Sequence, residues 1–145
     1  MLNKIIEAIA LKLGQEFGSE IPVYTEVIEQ GNSLQYFFVS LQTSKNKKML
    51  GKRYLMEQKF LVQYYPGTVY KNSKILDVIE RLNTILEYID VNGDLLRGTE
   101  MTSEYINNTL NFYVDFNFYT YRETEVKETM ENLSIGTGIG KSNEF

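Results

Sequence analysis

Residues 109–122 read TLNFYVDFNFYTYR, and this stretch decides the fold. Every second side chain from Leu110 to Phe118 is apolar, and polar or tyrosine side chains stand between them. Successive side chains of a β-strand point to opposite faces of a sheet. The alternation therefore predicts one strand with an apolar face and a polar face that bears tyrosines. Its length suits a central strand of an antiparallel sheet whose outer face is available to a partner.

Four more segments carry strand patterns of β-branched and aromatic residues. They are residues 22–28, 34–43, 54–65 and 95–107. Asn107 and Asn108 separate the last of these from residues 109–122. Asparagine tolerates the positive φ angles of short hairpin turns, so this pair predicts a tight turn between two antiparallel strands.

Two segments have helical spacing, with apolar residues at intervals of three and four. The first covers residues 2–17 and is followed by Gly18, which can adopt the left-handed conformation that ends a helix. The second covers residues 74–89 and has a wide apolar stripe, as in a helix packed flat on a sheet. The acidic residues 123–133 could form a third, short helix.

These elements predict an α+β fold. We expect a mainly antiparallel sheet of four to five strands with the two main helices packed on one face. The predicted order is helix, three strands, helix, two strands. A single domain is expected over residues 1–133, followed by a flexible, Gly-rich C-terminal tail over residues 134–145.

The composition excludes several classes of function. The chain contains no Cys and no His, which removes thiolate chemistry, Cys-ligated metals and the commonest general base. The carboxylates in the strand patterns, such as Glu57 and Asp115, have no adjacent acid–base partner. We therefore predict no catalytic residue, no cofactor and no metal site. A formal charge of −4 argues against a dedicated nucleic-acid-binding protein.

Two motifs have the appearance of ligand sites but lack required residues. Residues 135–142 end in Gly-Lys-Ser, yet Ile135 stands where a phosphate-binding loop needs glycine, and too few residues follow for a helix. Residues 90–94 begin like a calcium loop, but the sixth position is Leu95 and the twelfth is Met101. We interpret residues 90–94 as a turn.

A basic segment, residues 44–53, is expected to form a loop between the second and third strands. It is either a solvated loop or a contact arm toward an acidic partner or nucleic acid. The tyrosines of the last strand are the other candidates for partner binding. The predicted partner-binding residues are Lys45, Lys47, Lys48, Lys52, Arg53, Tyr113, Tyr119 and Tyr121.

Four stretches resemble the tail terminator, or tail completion, family of long-tailed phages, defective prophages and contractile bacteriocins. They read LNKIIEAI at residues 2–9, IPVYTE at 21–26, QKFLVQYYP at 58–66 and NFYVDF at 111–116. The resemblance covers residues 1 to about 122 and does not include the Gly-rich tail.

The resemblance implies a structural protein that forms a hexameric ring on the tail tube, stops tube growth and joins the tail to a head connector or collar. The implied partners are further copies of the chain, the tube protein, the sheath protein, the head connector or collar, and DNA passing through the lumen. No secretory signal or membrane span is predicted. We therefore expect assembly in the host cytoplasm and then incorporation into a tail. The alternative is a protein-binding adaptor or assembly chaperone that uses its aromatic sheet face.

Overall fold

The computed structural model describes residues 1–26, 35–67 and 72–121. The predicted third helix and the predicted C-terminal tail lie outside the described residues. The chain divides into two compact units. The first unit contains residues 1–46 and 56–118. Within the described chain, the second contains residues 47–55 and 119–121.

The first helix, α1, has the predicted bounds, Leu2–Phe17. Gly18 follows it with φ 78°, and its backbone N–H donates to the Gly14 carbonyl over 3.0 Å. Glycine adopts this positive-φ conformation without the steric penalty of a Cβ atom, which is why the helix ends here. The buried stripe of α1 consists of Ile5, Ala8, Ile9 and Leu13.

The remaining elements form one six-stranded sheet and a second helix. Their bounds are β1 Val23–Tyr24, β2 Tyr36–Lys48, β3 Arg53–Tyr65, α2 Asn72–Ile85, β4 Tyr88–Val91, β5 Asp94–Ile106 and β6 Thr109–Tyr121. The strand order is β1-β2-β3-β6-β5-β4. β1 runs parallel to β2, whereas β5 is antiparallel to both β4 and β6. The fold is therefore α+β with a mostly antiparallel sheet, as predicted, and β6 is a central strand.

Two-residue turns close the last two hairpins. Asn92 and Gly93 join β4 to β5 with positive φ angles of 54° and 88°, and Asn107 and Asn108 join β5 to β6 with 53° and 59°. Positive φ at both central residues matches the right-handed twist of paired strands. The tight turn predicted at Asn107 is therefore confirmed, and residues 92 and 93 form a hairpin turn.

The sequence prediction missed β4, so the sheet has six strands rather than four to five. Helix α2 ends at Ile85, four residues before its predicted end, and Tyr88–Val91 pair with β5. The ambiguity is physical, because Leu82, Leu86 and Ile89 fit a helical stripe. Residues 88–91 also alternate between exposed and buried, as a strand requires.

Two other strand bounds differ from the prediction. β1 contains only Val23 and Tyr24, while residues 25 and 26 are not in a strand and residues 27 and 28 lie outside the described ranges. β2 continues five residues beyond its predicted end, to Lys48. The predicted loop at residues 44–53 is therefore mostly strand, and the turn itself spans only residues 49–52.

Both helices cover one face of the sheet. Helix α1 packs against β1, β4 and α2. Because β1 and β4 are the first and last strands of the sheet order, the sheet must curl to bring both to the same helix. The sheet side chains beneath the helices are fully buried: Phe37, Val39, Phe60, Val62, Tyr64, Leu110, Phe112, Val114 and Phe116.

Arg81 of α2 connects the two helices. Its Nε donates to the Glu16 carboxylate over 2.8 Å, and a second guanidinium nitrogen donates to the Glu16 backbone carbonyl over 2.8 Å. The guanidinium also lies 4.3 Å from the centre of the Phe17 ring. The hydrogen bond to Glu16, followed by the contribution of Asp77, raises the pKa of Arg81. Arg81 therefore fixes α2 against the C-terminal end of α1.

Candidate interaction site

The basic segment forms the end of a β-hairpin in the second unit. Lys47 and Lys48 end β2, and Arg53 begins β3. The Met49 N–H donates to the Arg53 carbonyl over 2.8 Å, which closes the turn. Leu50 in this turn is 92% exposed. We call residues 47–53 the hairpin tip; it presents an apolar side chain among basic ones.

Two of the predicted tyrosines belong to the same unit. Arg53 and Tyr119 are in contact, with the guanidinium carbon 4.6 Å from the ring centre. At this distance a guanidinium is attracted to the negative face of an aromatic ring. Tyr121 is 74% exposed and Tyr119 is 50% exposed. The second unit therefore combines basic, aromatic and apolar surface.

The other two predicted residues, Lys45 and Tyr113, lie in the first unit. Lys45 is exposed and lines a polar depression of about 200 Å³ together with Lys59 and Asp115. Lys59 Nζ and Asp115 Oδ1 form an ion pair of 2.9 Å between β3 and β6. Tyr113 is half-buried on the face of β6 opposite the helices. Six of the eight predicted residues thus belong to the second unit and two to the first.

The sequence prediction missed an aromatic cluster on that outer face. The rings of Tyr36 and Tyr65 are stacked, with centres 4.4 Å apart and planes inclined by 20°. Tyr24 meets Tyr36 edge-on at 5.6 Å. We call these three residues the tyrosine cluster. The alternation of β2 and β3 placed Tyr36 and Tyr65 on strands, but only the pairing of β1, β2 and β3 brings the rings together.

Burial raises the pKa of the Tyr36 hydroxyl, and the neighbouring Tyr65 and Tyr24 raise it further. The folded protein therefore holds this proton more tightly than the unfolded chain does. Above pH about 10 an unfolded tyrosine ionises, and this stabilises the unfolded state relative to the folded one. The free energy of unfolding therefore decreases as the pH rises.

We expect Tyr36→Phe to reduce this alkaline loss of stability. Urea unfolding at pH 8 to 11 measures it: the free energy of unfolding should fall less steeply above pH 10 in the variant than in the wild type. Burial also raises the pKa of Tyr64, so part of the decline should remain. Tyr121→Phe removes an exposed hydroxyl and is the control. Identical pH profiles for Tyr36→Phe and wild type would contradict the expectation.

The described residues contain neither a metal-binding cluster nor a membrane-spanning helix. Among them, no group of three or more acidic side chains is arranged to hold a metal ion. In the part of the chain that the structure covers, no helix is both long and apolar enough to cross a bilayer. The arrangement offers surfaces for contact: an outer sheet face with tyrosines and a basic hairpin.

The described residues therefore form an α+β fold with a tyrosine-bearing outer sheet face and a basic hairpin. The sequence profile of a family described as phage tail terminator protein matches residues 4–128. The chain belongs to the phage tail terminator family, which confirms the resemblance found in the sequence.

Solved structures resemble the chain at low sequence identity. One is the sheath/tube terminator of an extracellular contractile injection system, PVC, determined by cryo-EM in the extended state. It is 13% identical with a TM-score of 0.50, over 92% of this chain and 64% of that chain. The present chain thus spans less than two thirds of its length. Another solved chain matches at 11% identity and a TM-score of 0.42, covering 86% of this chain and 98% of its own. No curated protein matches the sequence.

Proposed function

We propose that the protein forms a hexameric ring that caps the tail tube, stops its polymerisation and provides the junction to a head connector or collar. The observation that carries this proposal is membership of the tail terminator family over residues 4–128. In this role the protein is a structural component and not an enzyme. Its partners are other copies, the tube protein and the sheath protein, with DNA passing through the lumen. It assembles in the host cytoplasm and then remains in the particle.

The edges of the sheet support a ring. β1 pairs only with Phe37 and Phe38, so among the described strands nothing covers the outer side of β2 after Phe38. At the other end, β4 is the last described strand of the sheet and pairs with residues 94–97 of β5. An unpaired edge is a template for another strand. Two different free edges favour head-to-tail association, and such an interface produces a closed ring when the rotation between copies closes.

The direct test is electron microscopy of the purified protein mixed with tail tubes. A ring with sixfold symmetry at one end of each tube, together with tubes that no longer elongate, is the expected result. Mass measurement of the free protein gives its state before docking. Tubes that carry no ring and continue to grow at a saturating protein concentration would overturn the proposal.

Reversing charge at the hairpin tip should weaken capping without affecting folding. Lys48 and Lys52 are exposed. Replacing both with Glu should reduce the affinity of the protein for tube ends by about tenfold, with a larger effect at low salt. Lys47 is left unchanged because it already has an interaction within the fold. Capping is measured from the fraction of tubes that stop growing at each protein concentration.

The matched control reverses Lys74 and Arg97, which changes the net charge equally at positions outside the hairpin. It should cap tubes like the wild type, and both variants should unfold at the wild-type temperature. An equal loss of capping in the two double variants would show that total charge, and not the hairpin tip, determines binding. Wild-type capping by the Lys48 and Lys52 variant would show that neither charge contributes.

A further inference from the structure

The hairpin tip places one exposed apolar side chain between two charged ones. Leu50 is 92% exposed and stands between Lys48 and Lys52, which are also exposed. Binding hot spots commonly consist of a large side chain that enters a pocket while surrounding residues exclude water. Leu50 therefore fits an apolar recess with an acidic rim.

The first unit contains such a recess between α1 and β1. It is an open groove of about 540 Å³. Leu11, which forms part of its wall, is 63% exposed. Most of the described lining is apolar or small, and Glu7 is the one charged residue among the described residues that line the groove. The lining residues are Glu7, Ala10, Leu11, Gly14, Gly18, Ser19, Ile21, Pro22, Val23 and Thr25.

Gly14 keeps the groove open although the fold does not require it. A Cβ atom at this position would meet no heavy atom within 4 Å in the described structure. Glycine inside a helix is less stable than alanine, because it loses more conformational freedom on folding. The described chain gives no packing reason for glycine here, and its effect is to leave space at the groove wall.

The charges around the groove complement those of the hairpin tip. Glu7 also lines an adjoining depression, together with Glu26. Both carboxylates are exposed. Among the described residues that line the two recesses, none is basic. A hairpin with lysines on both sides of Leu50 matches this acidic border.

We infer that the hairpin tip of one copy docks into the α1–β1 groove of a neighbouring copy. Leu50 fills the apolar groove, and Lys48 and Lys52 lie against Glu7 and Glu26. Because the tip and the groove are different surfaces, the contact repeats head to tail, as a closed ring requires. The inference rests on the proposed ring and specifies which surfaces hold it together.

Leu50→Asp should weaken association between copies at least about thirtyfold, because it places a charge in an apolar recess. Sedimentation velocity measures association in solution, and ring counts on tubes measure it where rings form only on their target. Leu76→Asp, at a leucine that is 55% exposed on α2, is the control and should assemble normally. Both variants should keep the wild-type unfolding temperature.

Gly14→Leu provides a test in which folding and assembly change in opposite directions. The variant should unfold at a higher temperature than the wild type, because leucine is the better helix former. Its side chain occupies the groove, so assembly should be weakened at least about tenfold. Normal assembly of Gly14→Leu would overturn the inference.

The absence of cysteine in the sequence allows a direct geometric test. A variant with both Leu50→Cys and Leu11→Cys should form, under mild oxidation, a ladder of disulfide-linked species that ends at six copies. The pair Leu76→Cys and Leu11→Cys should form no such ladder. If rings form and cap tubes but neither Leu50→Asp nor the cysteine pair has an effect, the ring proposal stands and this inference is wrong. If the wild type forms no ring even on tubes, both fail.

Discussion

Gly98→Ala should destabilise the protein by about 3 kcal/mol, a large part of the 5–15 kcal/mol that holds a typical domain folded. Gly98 lies in β5, and its N–H donates to the Glu87 carbonyl over 2.7 Å. A Cβ atom here would overlap the Leu86 carbonyl oxygen and approach a Val114 methyl group to 3.0 Å. Because the overlapped oxygen belongs to the backbone, the overlap can be removed only by moving the connection between α2 and β4.

A second Gly→Ala change provides the control with the opposite sign. Gly14→Ala introduces the same methyl group into open space within α1, so it should raise the free energy of unfolding by about 0.5–1 kcal/mol. Urea unfolding of both variants measures the contrast. The free energy of unfolding of Gly98→Ala could instead lie within a few tenths of a kcal/mol of the wild-type value. In that case the chain between α2 and β4 is not fixed against β5 in the way the structure indicates.

Elements with one buried face were predictable from sequence. The stripe of α1 and the alternation of β6 each repeat with the period of their secondary structure, because one side of each element faces the core. Gly18 and the Asn107–Asn108 pair then determine where two of these elements end, since each adopts positive φ. For such segments, side-chain chemistry alone contains the needed information.

The end of β2 lacks that contrast and was not predicted. Residues 42–48 of β2 are exposed on both faces, so their side chains show no alternation, and only backbone pairing makes them a strand. Gln58 is a further exception, because it lies on the core face of β3 and is 1% exposed. The alternation of β3 places position 58 on this face, but a glutamine there gives no signal of burial.

The candidate site was only partly predictable for a related reason. The basic hairpin could be recognised from composition, and so could the tyrosine-bearing face of β6. The tyrosine cluster depends on β1 lying parallel to β2, with Val23 opposite Phe37, and this pairing has no local signature. The groove beside α1 likewise exists only once the segment at Ile21 and Pro22 lies against the helix.

Phe112→Ala and Tyr113→Ala change neighbouring residues of β6 and should have very different effects. Phe112 is fully buried beneath the helices, and truncating a buried phenylalanine typically costs about 3–5 kcal/mol. Much of this variant should be unfolded or degraded, and capping should be lost with the fold. Denaturant titration measures the loss, and Phe112→Leu, which keeps most of the apolar volume, should recover more than half of it.

Tyr113→Ala should lose no more than about 1 kcal/mol, because its side chain is half-buried on the outer face, opposite Thr102 of β5. With the fold intact, any loss of tube capping by this variant reports a contact made by the outer face. We expect capping to weaken about tenfold, since tyrosines are enriched where protein surfaces meet. Wild-type capping by a folded Tyr113→Ala would remove Tyr113 from the binding surface. Equal destabilisation by the two variants would instead contradict the assignment of the two faces of β6. The placement of the helices on one face and of the outer binding surface on the other depends on this assignment.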